Sequence, residues 1–562
     1  MPSRLPVRLL FLLLSGAPAL AAQGGPPVPP AVRAARAELQ AGRPDSAITL
    51  LTAFFAATPD AVTGRLLLAQ AYHAKGQLEP ALAAYLAVER PRPQRFEARV
   101  GAARVATQLG RTEEAFRLLA EVKGSGAWDM DRLDTIAELA PLRGDARWAA
   151  VHFQPADFTR PFVEPARILH EWVGEAKGDQ FSWIARGIGD ATGDGVAEIV
   201  TSAPTYGAAG AAQGPGRVYL YDGRSGRLLW QWTGSGTEGA GTGLEGAGDV
   251  NHDGVPDVIA GAPGSGKAYV LSGRDGAVLH VLVGKAEDAF GQAAAGAGDQ
   301  DGDGYADLLV GAPAGSGLGA GAGKAYLYSG KDGALLQVLD GEGAGHAFGS
   351  IVAGKKDGTR TPFLVGAPGA GASGTGRVYV YPGLRQLPSF VLESDSTGAA
   401  LGAMFTSVVG DVDRDGVPDL YASDYTNAAR GPATGRVYVV SGATGRPLHA
   451  LTGEHPGDGF GIGSAEAGDV NGDGYDDLTI GAWQYSEAAP SGGRIYVYSG
   501  RDGTLLRTLT GRVPGETLGF DATGVGDANG DGIPDLLVTS SWSNIRGFHT
   551  GRMYLIAGER AR

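Results

Sequence analysis

Six short stretches of this sequence place oxygen-bearing side chains at positions 1, 3, 5 and 9 of a tight loop. They are Asp190, Thr192, Asp194, Glu198; Asp249, Asn251, Asp253, Asp257; and Asp299, Asp301, Asp303, Asp307. The second three are Asp411, Asp413, Asp415, Asp419; Asp469, Asn471, Asp473, Asp477; and Asp527, Asn529, Asp531, Asp535. A loop curled around one centre would direct these oxygens inward. The backbone carbonyl of position 7 would join them, from Val196, Val255, Tyr305, Val417, Tyr475 or Ile533, and a glycine at position 6 permits the bend. Hard oxygen donors in a flexible loop select Ca²⁺ over transition metals, so about six calcium sites are expected.

An EF-hand shares this spacing but needs Glu at position 12 between two helices. Here position 12 is Ala260 or Val310, inside an apolar run that reads as a strand. Six recurrences in phase also argue against simple Asp/Gly turns. A seventh stretch near Gly354 is one residue short and carries Lys355 and Lys356 where acids belong, so no calcium is expected there.

The elements that hold these loops are themselves repeated. One unit runs Phe-Gly, a short strand, the acidic loop, an apolar strand ending Gly-Ala-Pro, then a G-R-V-Y strand and an L-L-x-x-L strand. Phe290-Gly291 and Gly311-Ala312-Pro313 carry both hallmark words. The repeats resemble the FG-GAP repeats of integrin α chains. That resemblance implies a mainly β fold: a seven-bladed β-propeller of four-stranded blades over residues 166–562, with calcium between the first and second strands. Residues 167–174 match the fourth strand at 277–284, and the last repeat stops at its third strand, Arg552 to Ile556. The N-terminal strand is therefore expected to close the ring and leave no open edge.

An earlier period is helical. Gly42, Gly76, Gly110 and Gly144 stand 34 residues apart, each followed five residues later by Ala47, Ala81, Ala115 or Ala149. Residues 31–152 resemble a tetratricopeptide array of three good units and a weaker fourth. The resemblance implies either a groove for a peptide partner or a brace. Residues 153–165 read as a linker.

Residues 1–22 read as an export signal, with Arg4 and Arg8 before an apolar run and small residues after it, followed by a Pro/Gly linker over 23–30. A secreted or extracytoplasmic protein with no membrane span is expected. The chain has 562 residues, 61 acids against 47 bases, no cysteine and no basic run. This excludes disulfides and thiolate chemistry and argues against nucleic acid. Gly261 to Lys267 imitates a phosphate loop, but it lacks the following Ser/Thr and recurs in phase as a turn. No catalytic constellation is legible, the inner strands being mostly Gly, Ala and Val.

The loops joining strands two and three are bland in blades 2 to 4. In blades 5, 6, 7 and 1 they carry Tyr425, Arg430, Trp483, Tyr485, Trp542, Arg546, Phe548 and Tyr206. These are expected to form a patch for a protein or glycan ligand. The overall expectation is non-enzymatic binding, in adhesion or as a scaffold. A carbohydrate-binding propeller is the alternative, and a propeller hydrolase or lyase a more distant one.

Overall fold

The computed structural model describes residues 28–89, 92–208, 213–355, 358, 361–372, 374–395 and 400–560. The expected export signal, residues 23–27 of the linker after it, and Lys356 lie outside these residues. The chain divides into two compact units, the first mainly residues 22–159 and the second mainly 160–512 and 516–562.

The first unit contains three antiparallel helix pairs: Pro30–Gln40 with Pro44–Ala57, Arg65–Ala74 with Leu78–Leu86, and Arg92–Gln108 with Thr112–Lys123. Gly42, Gly76 and Gly110 take φ of 73°, 77° and 73° in the intervening turns. There the amides of Arg43, Gln77 and Arg111 reach back to the carbonyls of Glu38, Tyr72 and Ala106 at 2.9, 3.0 and 2.8 Å. This closure satisfies orphan carbonyls at the end of each first helix, and glycine supplies the left-handed residue it requires. Ala47, Ala81 and Ala115 are fully buried at the helix crossings. The expected fourth unit does not form. Gly144 has no left-handed φ, and the segment folds as 3₁₀ turns at Met130–Thr135 and Ala137–Leu142 and a single turn at Trp148–Val151. The 34-residue phase survives there without helix length enough to pair.

The second unit is a propeller of seven four-stranded antiparallel sheets. In six blades the strands follow chain order, as in blade 3: Ala293–Gly298, Asp307–Ala312, Lys324–Tyr328, Leu335–Asp340. Blade 7 joins Ala522–Gly524, Leu536–Ser540 and Arg552–Ile556 to the N-terminal strand Ile168–Val173. Val173 faces Arg552, and Ile168 faces Ile556. The expected ring closure is therefore present. The expected linker is only partly one: the amide of Val163 donates to Thr510, that of Arg512 donates to Pro161, and Glu164 accepts from Thr508 and Thr510. These residues cover the outer edge of blade 6.

The repeat words acquire physical meaning here. Phe181, Phe290, Phe348 and Phe460 are buried and meet the first tyrosine of their blade's third strand edge-on, at 5.3 to 5.4 Å. The glycine of Gly-Ala-Pro packs on the next blade: a Cβ at Gly261, Gly311 or Gly366 would collide with the carbonyl of Gly291, Gly349 or Gly402. A basic residue opens every third strand. Arg217, Lys324, Arg377, Arg436, Arg494 and Arg552 each pair with an acid, such as Glu175, Asp340 or Glu454.

Candidate metal centres and channel

All six acidic loops lie between the first and second strands of their blades. In all six, the amides of positions 5 and 6 close on the first carboxylate. The carboxylate at position 1 accepts backbone amides: in blade 3, Gly302 and Asp303 donate to Asp299 Oδ1 at 2.6 and 3.1 Å, and Gly304 donates to Oδ2 at 3.1 Å. Such donors hold Asp190 and Asp527 below the usual carboxylate range, although burial opposes this at both and is the largest single influence at Asp527. The position-5 carboxylate accepts the amide of position 7, as Asp303 does from Tyr305 at 3.0 Å.

Position 9 has a second task. Asp257, Asp307, Asp419, Asp477 and Asp535 are buried, each with one oxygen accepting the amide of loop position 2. The other oxygen accepts the amide of a glycine after the third strand: Gly273, Gly330, Gly442, Gly500 or Gly558, at 2.8 to 3.1 Å. Burial pushes Asp257 and Asp307 up to about 7, and Asp419 and Asp477 up to about 6. The residue thus ties its loop to the far end of the blade. Glu198 does the first half of this in blade 1, accepting from Ala191 and Thr192.

The donor set fits a hard divalent cation. In three loops, one oxygen from each of three acids lies within 4.8 Å of the others: Asp190, Asp194, Glu198; Asp299, Asp301, Asp303; and Asp411, Asp413, Asp419. No nitrogen or sulfur ligand joins these groups. A bound calcium would offset carboxylate repulsion there. Arg224, Arg274 and Lys331 already lean on Asp194, Asp253 and Asp303 at 2.9, 3.3 and 3.7 Å.

The eight residues expected as a ligand patch are not a common exposed surface. Tyr425, Trp483 and Tyr485 are only 1 to 2% exposed. Trp483 stands 5.2 Å from Trp542 and 5.9 Å from Phe520, edge-on to both. Tyr206 lies under the Arg217 guanidinium, and Trp542 and Phe548 are half-buried around His549. Arg430 and Arg546 are exposed. Large rings in these loops fill space between blades, which period-based reading could not distinguish from display.

A channel of about 1170 Å³ runs between the inner strands. Its wall is not only Gly, Ala and Val. Arg186 of blade 1 bridges Glu245 of blade 2, at 2.7 Å, and fully buried Asp521 of blade 7. The signal was present as two charges on inner strands and a third just before one, but their convergence needed the ring.

A tetratricopeptide repeat model matches residues 32–96, and an FG-GAP repeat model matches residues 241–280, 290–328 and 463–498. The second unit is thus a seven-bladed β-propeller that carries FG-GAP repeats, and it follows helices that match a tetratricopeptide repeat. The chain is similar to integrin alpha-2 of Mus musculus, 29% identical over 224 residues, or 36% of this chain and 18% of that protein. It is similar to integrin alpha-7 of Homo sapiens at 33% over 190 residues (32% and 15%). The third relative is integrin alpha-3 of Cricetulus griseus, at 31% over 164 residues (27% and 15%). The matches span less than a fifth of the length of these relatives.

Proposed function

We propose that this protein is an exported, calcium-stabilised binding protein, acting in adhesion or as a scaffold through its propeller. A peptide partner for the helical unit is part of the same reading. The observation that carries it is the sixfold recurrence of position-1 and position-5 carboxylates held by backbone amides, with position 9 tied to the far end of the blade in five of the six loops. Asp, Asn, Thr and Glu oxygens at positions 1, 3, 5 and 9 would hold the ion, whose charge would offset their repulsion and stiffen the blade. The helical repeats and the propeller are both recognition folds, and the similarity to integrin α chains supports protein recognition. No helix among the described residues is long and apolar enough to cross a membrane.

Thermal unfolding of the full chain, with calcium and with a chelator, tests this reading. A midpoint raised by calcium, with several ions bound per chain, is the expected result. Identical midpoints and no bound ions would overturn it. Arg430→Ala with Arg546→Ala is the variant for partner capture, because both side chains are exposed and their loss spares the core.

A further inference from the structure

We infer that the acidic loops are coupled in two pairs, blade 2 to blade 3 and blade 5 to blade 6, through the side chain at the fourth loop position. This rests on the calcium reading above. Position 4 needs a left-handed backbone in every loop. Gly193, Gly302, Gly472 and Gly530 meet the need with φ of 83°, 84°, 78° and 81°. Blades 2 and 5 instead place His252 and Arg414 there, at φ of 59° and 60°. A side chain in this region is strained, so its presence asks for a compensating contact.

The contact is with the next blade. His252 Nδ1 lies 3.2 Å from the carbonyl of Gly304, and its ring stands 5.4 Å from that of Tyr305. The Arg414 guanidinium lies 5.1 Å from the ring of Tyr475. Tyr305 and Tyr475 occupy position 7 of their loops, where the other four loops carry Val or Ile. The two non-glycine residues at position 4 therefore precede the two tyrosines at position 7, each across one blade boundary.

Position 7 is where coupling would count. Its carbonyl is the expected backbone ligand, and its amide donates to the position-5 carboxylate at 3.0 Å in both loops. Fixing the tyrosine ring fixes that residue, so order in one loop favours order in the next. By reciprocity the reverse holds as well.

Calorimetric titration of the full chain with calcium chloride tests this. The variants are His252→Gly with Arg414→Gly, and Tyr305→Val with Tyr475→Val, each substituting what sister loops carry at that position. Circular dichroism confirms that each remains folded. The ion count should equal that of the wild type, while one class of sites weakens about fivefold and the isotherm loses steepness. Asp249→Asn should weaken a second site in the wild-type background but only remove one ion in the His252→Gly background. Superimposable isotherms with the wild-type ion count would overturn the coupling and leave the calcium reading standing. A wild type that takes up no calcium would remove the calcium reading, and the coupling with it.

Discussion

Gly261 illustrates what one missing methyl does in this fold. Its neighbour across the blade boundary is the backbone carbonyl of Gly291, which cannot swing away as a side chain would. Gly261→Ala should lower the urea midpoint, by about 1–3 kcal/mol of overpacking; a wild-type midpoint would contradict the close contact. Trp483→Ala empties a buried site among Phe520 and Trp542 and should cost about 3–5 kcal/mol. It is therefore a test of the core, not of recognition. His549 adds a pH dependence. Burial beside Trp542 pushes its imidazole down from 6.5 to about 3. The unfolded chain binds that proton first, so stability is lost as pH falls from about 6.5 towards 3. His549→Phe should flatten that slope in chelator, read from unfolding midpoints across the range.

Within a blade, the position-9 carboxylate separates two roles that share one loop. Asp477→Ala leaves the buried amides of Val470 and Gly500 without their acceptor, at about 1–3 kcal/mol each. It should destabilise the protein even in chelator. Asp473→Ala removes an expected ligand from the exposed part of the loop and should matter mainly when calcium is present. Equal effects of the two variants in both conditions would show that the division is wrong. The loop, its phase and its place between strands were legible because ligand spacing is local. The glycine that completes position 9 was not, because it lies 16 or 23 residues onward and pairs only when the blade forms. Helices followed the same rule. Gly42, Gly76 and Gly110 announced their turns, whereas Gly144 kept the period without the helix. Similarly, residues 161–164 looked like linker because strand pairing at a sheet edge needs no side-chain pattern of its own.

The propeller unit as a ring adds what no single repeat contains. Seven units and the split blade could be counted from the repeats, since a fourth strand displaced to the N-terminus leaves its match in plain sight. Arg186 could not be read this way, because blades 1, 2 and 7 meet only after closure. Arg186→Leu removes the cation shared by Glu245 of the channel wall and buried Asp521 and should cost about 3–5 kcal/mol, measured by chemical unfolding; a neutral result would mean that the ion pairs contribute nothing to stability. Strand pairing at the seam also sets how the ring responds to tension. Ile168 faces Ile556, so the chain enters and leaves the closing pair at the same end, where the amide of Ala557 meets the carbonyl of Arg167 at 2.9 Å. A pull on those two ends loads the hydrogen bonds one after another instead of all together. The seam would open like a zipper at low force, and a tether built on this ring must take its load elsewhere than through the ends of the propeller chain.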